Sequence, residues 1–178
     1  YLENASFEKV DIKGAKFNGA YMIGVSFENM DLRNANLEGI HMPGQDFKGL
    51  DLTGINLQNS VLKESNFENS NLANANLDSA YLNSVNFKNA DMTNVSLNNA
   101  DLGAADLTNA NLDSAKIQNS FFKNAKMENM NINETITDSC FEQDLINRMI
   151  CKIKLELNPD SPPYETNYDF RDNYVLRN

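Results

Sequence analysis

From Leu2 to Ile132 a large apolar residue recurs at every fifth position, 27 times in succession, and Thr137 is the first miss. Leu2, Phe7, Ile12, Phe17, Met22 and Phe27 open the series, and Leu112, Ile117, Phe122, Met127 and Ile132 close it. A period of five matches neither the 3.6 of a helix nor the 2 of a strand, so each repeat has to be a short extended segment followed by a corner. Two residues before most anchors the side chain is small, as at Ala75, Ala80, Ala90, Ala100, Ala105 and Ala110, which implies a second, smaller inward position. Two residues after the anchor stands Gly or Asn in 20 of 27 repeats. These residues tolerate the positive φ that the third residue of a type II turn requires.

If four such corners close one coil, residues 20 apart stack. Phe7, Phe27, Phe47, Phe67 and Phe87 then form one core ladder, and Leu62, Leu82 and Leu102 lie in another. With strands stacked about 4.8 Å apart, nearly seven coils make a rod of roughly 32 Å. Each coil covers the apolar faces of its neighbours and only the two ends stay open.

The pattern in Ala100-Asp101-Leu102-Gly103-Ala104 and Ala105-Asp106-Leu107-Thr108-Asn109 resembles the A(D/N)LXX motif of pentapeptide-repeat proteins. The resemblance covers residues 1 to about 134. It implies an all-β solenoid, a right-handed quadrilateral β-helix. It also implies a choice among known family roles: DNA-mimicking gyrase protection of the quinolone-resistance type, secreted bacterial effectors and adaptors. The repeat specifies a scaffold, and function lies in what the scaffold displays.

The residue just before each anchor should point outward. Sorted by coil side, one row is unusual: Tyr1, Tyr21, His41, Val61, Tyr81, Asp101 and Phe121. Exposed aromatics in a row are the kind of patch that marks a protein contact surface, and this row has three readings: the C-terminal tail folding back on it, a partner or second copy, or no role at all. His41 has no nucleophile motif beside it and reads as a surface or packed histidine. A second row, Asp11, Asp31, Asp51, Asn71, Asp91, Asn111 and Asn131, reads as a solvated face, because acid–base work needs carboxylates in contrasting environments. One coil places Ile40, Gln45, Leu50 and Ile55 where Ala or Ser usually sits, with Gly39, Gly44, Gly49 and Gly54 at its turns. Local repacking is the leading reading there, and a binding notch at Met42-Pro43-Gly44-Gln45 is the alternative.

Past Ile132 the register stops and Ser139-Cys140-Phe141-Glu142 has the form of a helix capping box. Phe141, Leu145, Ile146, Met149, Ile150 and Ile153 follow at helical spacing. The chain therefore divides into a β-helix over 1–134 and, over 135–178, a helix with an extended tail. That helix either caps the open end of the rod or joins two rods into a dimer. Cys140 and Cys151 read as free thiols.

Fifteen Lys and Arg against 25 Asp and Glu leave a net charge of -10, which argues against binding nucleic acid or anionic lipid directly. Over residues 1–134 the net charge is -7, against about 19 phosphates on duplex DNA of the same length, so the charge is sparse for a close DNA mimic. Neither a phosphate-cradling glycine loop nor a nucleophile–base set is visible, and the expectation is no enzyme, no cofactor, no metal and no membrane insertion. The reading that results is a non-catalytic protein-interaction scaffold in a bacterial cytoplasm. A gyrase-binding protein and the repeat domain of a secreted effector are its alternatives.

Overall fold

A computed structural model describes Leu2, residues 17–27 and residues 30–132. Tyr1, Phe7, the helix proposed around Phe141–Ile153 and the tail lie outside the described residues, as does the boundary at 134. Every described anchor from Met22 to Phe122 is buried, Leu37, Phe47, Leu62 and Leu102 completely. Phe17 at one end and Met127 at the other are partly covered and pack against the same core.

The rung of the solenoid is the residue before each anchor, and it pairs in parallel with the residue 20 positions on: Tyr21 with His41, Asp51 with Asn71, Asn56 with Asn76, Asn66 with Asn86. The amide of each anchor donates to the carbonyl 19 residues later, as from Leu37 to Asn56 at 2.8 Å, and the rung amide donates back, as from His41 to Ala20 at 2.9 Å. A coil is thus 20 residues with four sides, and every side buries its apolar side chains against the other three.

The corners follow from the third residue after each rung. At this position six glycines and 16 other residues have φ between 54° and 70°. The anchor carbonyl then accepts from the amide three residues on, as in Ala75 to Leu72 at 3.0 Å. Most of these corners are Gly or Asn, for which the left-handed region is accessible. Glu64, Ala104 and the serines 79, 84 and 114 adopt it as well, because the bonds to the coils above and below fix the corner whatever the residue. At Gly54 a Cβ would meet the end of the Asn34 side chain one coil below, which would have to turn aside to admit it.

The four sides are named here by their rungs. The phenylalanine face carries Ser26, Asp46, Asn66, Asn86, Asp106 and Lys126 over the anchors Phe27 to Met127. The rings of Phe27, Phe47, Phe67 and Phe87 stack beneath it with centroids 5.9, 4.7 and 5.2 Å apart. The aspartate face begins at Asp31, the asparagine face at Asn36 and the aromatic face at Tyr21.

Candidate functional site

On three sides the rung is mostly Asp or Asn, Ser26, Ser96, Lys116 and Lys126 excepted, and its side chain is part of the fold. Asp or Asn before the anchor accepts a hydrogen bond from the amide two residues on, closing the corner: Arg33 to Asp31, Glu38 to Asn36, Lys48 to Asp46, Thr53 to Asp51, Glu68 to Asn66, Thr108 to Asp106. This is the side-chain turn for which Asx residues are favoured in loops. The same side chains also join the coils, with Asn86 Nδ2 donating to Asn66 Oδ1 and Asn66 Nδ2 to Asp46 Oδ1, each at 3.1 Å. The corner asparagines add a second ladder, Asn129 to Asn109 to Asn89 to Asn69.

The aspartate row read from sequence as a solvated face therefore has structural work as well. Asp51 and Asp91 each accept from a backbone amide and from the Thr53 or Thr93 hydroxyl at 2.6 Å. Asp31 holds Arg33 through two side-chain bonds of 2.8 and 2.7 Å. On the phenylalanine face Asp106 sits between Lys88 at 3.3 Å and Lys126 at 3.5 Å. Burial alone would raise its carboxyl, but hydrogen bonds from the Thr108 hydroxyl and amide and from Lys88 outweigh it and hold the group below the usual carboxylate range.

The aromatic face departs from this rule. Of its described rungs only Asp101 closes its corner in this way, by accepting from the Gly103 amide at 3.0 Å. Tyr21, His41, Val61, Tyr81 and Phe121 lack the short carboxylate or amide oxygen with which Asp and Asn reach the amide two residues on. In the repeat of His41 the residue after the anchor is Pro43, which has no amide hydrogen and sets the corner through its own fixed φ. Forgoing such a bond costs about 0.5–1.5 kcal/mol per corner, so this side of the rod is built at some expense to the fold.

What the face gains is apolar surface. Among the described residues the exposed large hydrophobic side chains are Tyr21 at 43%, Ile23 at 40%, Tyr81 at 56% and Phe121 at 65%, and all four belong to this one side. His41 and Val61 are half-buried between them, and the Tyr21 and His41 rings lie 4.7 Å apart. The rungs pair continuously from Tyr21 through His41, Val61, Tyr81 and Asp101 to Phe121. Five steps of about 4.8 Å make the row roughly 24 Å long. Ile23 and Pro43 widen it on the side of the corners. Sequence sorting of the rung position alone missed both, and sorting the position after the anchor in the same way finds them. The charges of this face balance, with Lys63 and Lys123 against Glu64 and Asp101.

The coil of Ile40 packs its larger side chains unevenly. Ile40 and Ile55 are fully buried, and Gln45, 8% exposed, donates from its backbone to Ser65 Oγ at 3.1 Å and from its side chain to the Asp46 carbonyl at 3.4 Å. Beside it a cleft of about 480 Å³ lies over Gly24, Val25, Phe27, Gly44, Gln45 and Leu50, at the corner between the aromatic and phenylalanine faces. Among the described residues no cluster of three or more His, Cys, Asp or Glu is placed to hold a metal ion, and no helix is long and apolar enough to cross a membrane.

Two family profiles match the chain, one described as pentapeptide repeats (8 copies) over residues 1–39 and 27–63, the other as a pentapeptide repeat region over residues 60–137. No curated protein matches it. Among solved structures it is similar to Rfr23, a pentapeptide repeat protein from the cyanobacterium Cyanothece 51142, with 26% identity and a TM-score of 0.57 over 60% of this chain and 86% of the other. It is also similar to a pentapeptide repeat protein of the Arabidopsis thaliana thylakoid lumen, with 29% identity and a TM-score of 0.51 over 60% and 77%. Full-length QnrB1, a plasmid-mediated fluoroquinolone resistance protein, aligns over 86% of this chain and 96% of its own at 14% identity and a TM-score of 0.26, too remote to bear on function. With the five-residue register, the 20-residue coil and both profiles in agreement, the chain belongs to the pentapeptide-repeat family, whose members form right-handed quadrilateral β-helices.

Proposed function

We propose that the protein is a non-catalytic interaction scaffold and that the aromatic face is where it meets a protein. One observation carries the reading: among the described residues the exposed large apolar side chains all stand on the side where every rung but Asp101 lacks the turn-closing Asp or Asn. A surface that served only stability would carry Asp or Asn there, as most rungs of the other sides do. Solvated apolar side chains gathered in one patch, rather than scattered, are characteristic of contact surfaces. His41 fits this role, since its ring is engaged with Tyr21.

A duplex-like acidic track is less well supported. The carboxylates of Asp51 and Asp91 are taken up by their own turns, and Asn71 and Asn111 interrupt the row between and beyond them. Gyrase supercoiling should accordingly be unaffected by excess protein.

The test is recovery of bound protein from a lysate of the source organism, using the wild type, a Tyr21→Lys/Tyr81→Lys variant and an Asp51→Lys/Asp91→Lys control. The reading expects a set of partners that the first variant loses and the control keeps. Equal recovery by all three removes the aromatic face from the function.

A further inference from the structure

We propose that the partner of the aromatic face is a second copy of this chain, lying antiparallel across it about a two-fold axis that passes between the Val61 and Tyr81 rungs. This rests on the reading of that face as a protein contact surface and names its occupant.

The face is self-complementary. A two-fold contact places one patch against itself, so residues pair reciprocally. In the antiparallel register that uses every rung from 21 to 121, Tyr21 meets Phe121, His41 meets Asp101 and Val61 meets Tyr81, each pair occurring twice. Aromatic faces aromatic, an imidazole N–H faces a carboxylate, and the smallest apolar rung faces one of the largest. The flanking positions agree: Ile23 lies opposite Lys123, whose aliphatic stem can cover it, Pro43 opposite Gly103, and Lys63 opposite Asn83. At the corners Glu64 meets Ser84 and Gly44 meets Ala104.

The charge of the face also permits close approach. Two rods of a chain with net charge -10 repel each other, but on this face Lys63 and Lys123 offset Glu64 and Asp101. The aspartate face, with Asp31, Asp51, Asp91 and Asp113 against Arg33, offers no such approach. The antiparallel register opposes no like charges, and like-charge contacts are what excludes wrong pairings at interfaces.

With aromatic side chains of roughly 200 Å², the exposed parts of Tyr21, Tyr81 and Phe121 supply about 300 Å². Ile23, His41, Pro43, Val61 and the stems of Lys63 and Lys123 bring one face to about 600–700 Å², the lower end of specific interfaces, which corresponds to a reversible dimer.

The experiment uses the full chain with Cys140→Ser and Cys151→Ser. One preparation carries His41→Cys, the other Asp101→Cys, and they are oxidised separately and mixed. Sedimentation equilibrium on the uncrosslinked chain is run alongside. The expected results are a mass that rises with concentration toward about twice the 20.0 kDa of the monomer, a disulfide-linked dimer from the mixture, and little from either preparation alone. Tyr81→Lys or Val61→Arg should lower the association at least ten-fold while the far-UV spectrum is unchanged. Asp101→Asn, which keeps an acceptor for the Gly103 amide, should weaken it about two- to five-fold. Crosslinking of His41→Cys with itself would overturn the antiparallel register. A dimer indifferent to Tyr81→Lys and Val61→Arg would place the interface elsewhere and overturn the proposal. A chain that stays monomeric overturns it too. If other proteins still bind and are lost in the Tyr21→Lys/Tyr81→Lys variant, the contact-surface reading survives that failure, and if none are lost both fall.

Discussion

Phe67 is the place to measure how much of the rod's stability comes from its stacked core. Its side chain is completely buried, with ring centroids 4.7 Å from Phe47 and 5.2 Å from Phe87. Phe67→Ala removes the transfer free energy of the ring and leaves a cavity that the coils above and below cannot fill, since their hydrogen bonds fix the spacing. Buried Phe→Ala changes cost about 3–5 kcal/mol. The lost stacking on two neighbours, about 0.5–1.5 kcal/mol each, pushes the value toward the upper end. Phe67→Leu gives the repeat the anchor used on the other sides and should cost only about 1–2 kcal/mol, because a smaller cavity remains. Phe121→Ala is the internal control: its ring is 65% exposed and its loss should cost well under 1 kcal/mol. Urea unfolding followed by circular dichroism reads all three, with the slope compared between variants because repeat arrays can lose cooperativity. If Phe67→Ala and Phe121→Ala cost the same, the distinction drawn between the inward anchor and the displayed rung is wrong.

Other substitutions probe the corners and the ladders. Ala104 adopts φ 56° without the side chain that favours it, so Ala104→Asn should raise the melting temperature, by the equivalent of about 0.5–1 kcal/mol, in a calorimetric scan. Gly54→Ala should lower it by at least that much, from the positive φ and from turning the Asn34 side chain aside. Asn66→Ala deletes a bond to the Glu68 amide and one to each neighbouring coil, and should cost about 1–2 kcal/mol in the same urea assay. The lowered Asp106 carboxyl stabilises the fold above the unfolded-state value near 4 and loses that contribution as the pH falls through its folded value. Stability measured from pH 7 down to pH 2 should therefore decline less steeply in Asp106→Asn than in the wild type, from a lower starting point.

Much of the fold is legible in the sequence because each repeat solves the same local problem. The anchor must be large and apolar, the corner must accept positive φ, and stacking at 20 residues aligns like with like, so Phe27 to Phe87 could be placed in one ladder before any coordinates. Two things were not legible. Glu64 and Ala104 are held at corners they would not choose, by bonds to adjacent coils that no local preference encodes. The rung aspartates, which read as solvated, close turns and bridge coils, and only the backbone geometry shows that the amide two residues on lies within reach. The candidate site was half visible. Tyr21, Tyr81 and Phe121 stand out when rungs are sorted by side, whereas Ile23 and Pro43 sit one position past the anchor and join the patch only because the coil turns there.

The central claim is that the aromatic rungs were kept for a partner and not for the rod. Tyr81→Asn tests it most directly, since it removes an exposed ring and supplies the turn-closing acceptor that the other sides use. The measurement is the unfolding free energy of this variant together with its self-association. The account predicts stability within about 1 kcal/mol of the wild type, the gained turn bond offsetting the lost ring contact, and association weakened at least ten-fold. A loss of stability of the size expected for a core residue, with association unchanged, would mean that the ring serves the fold and would contradict the account.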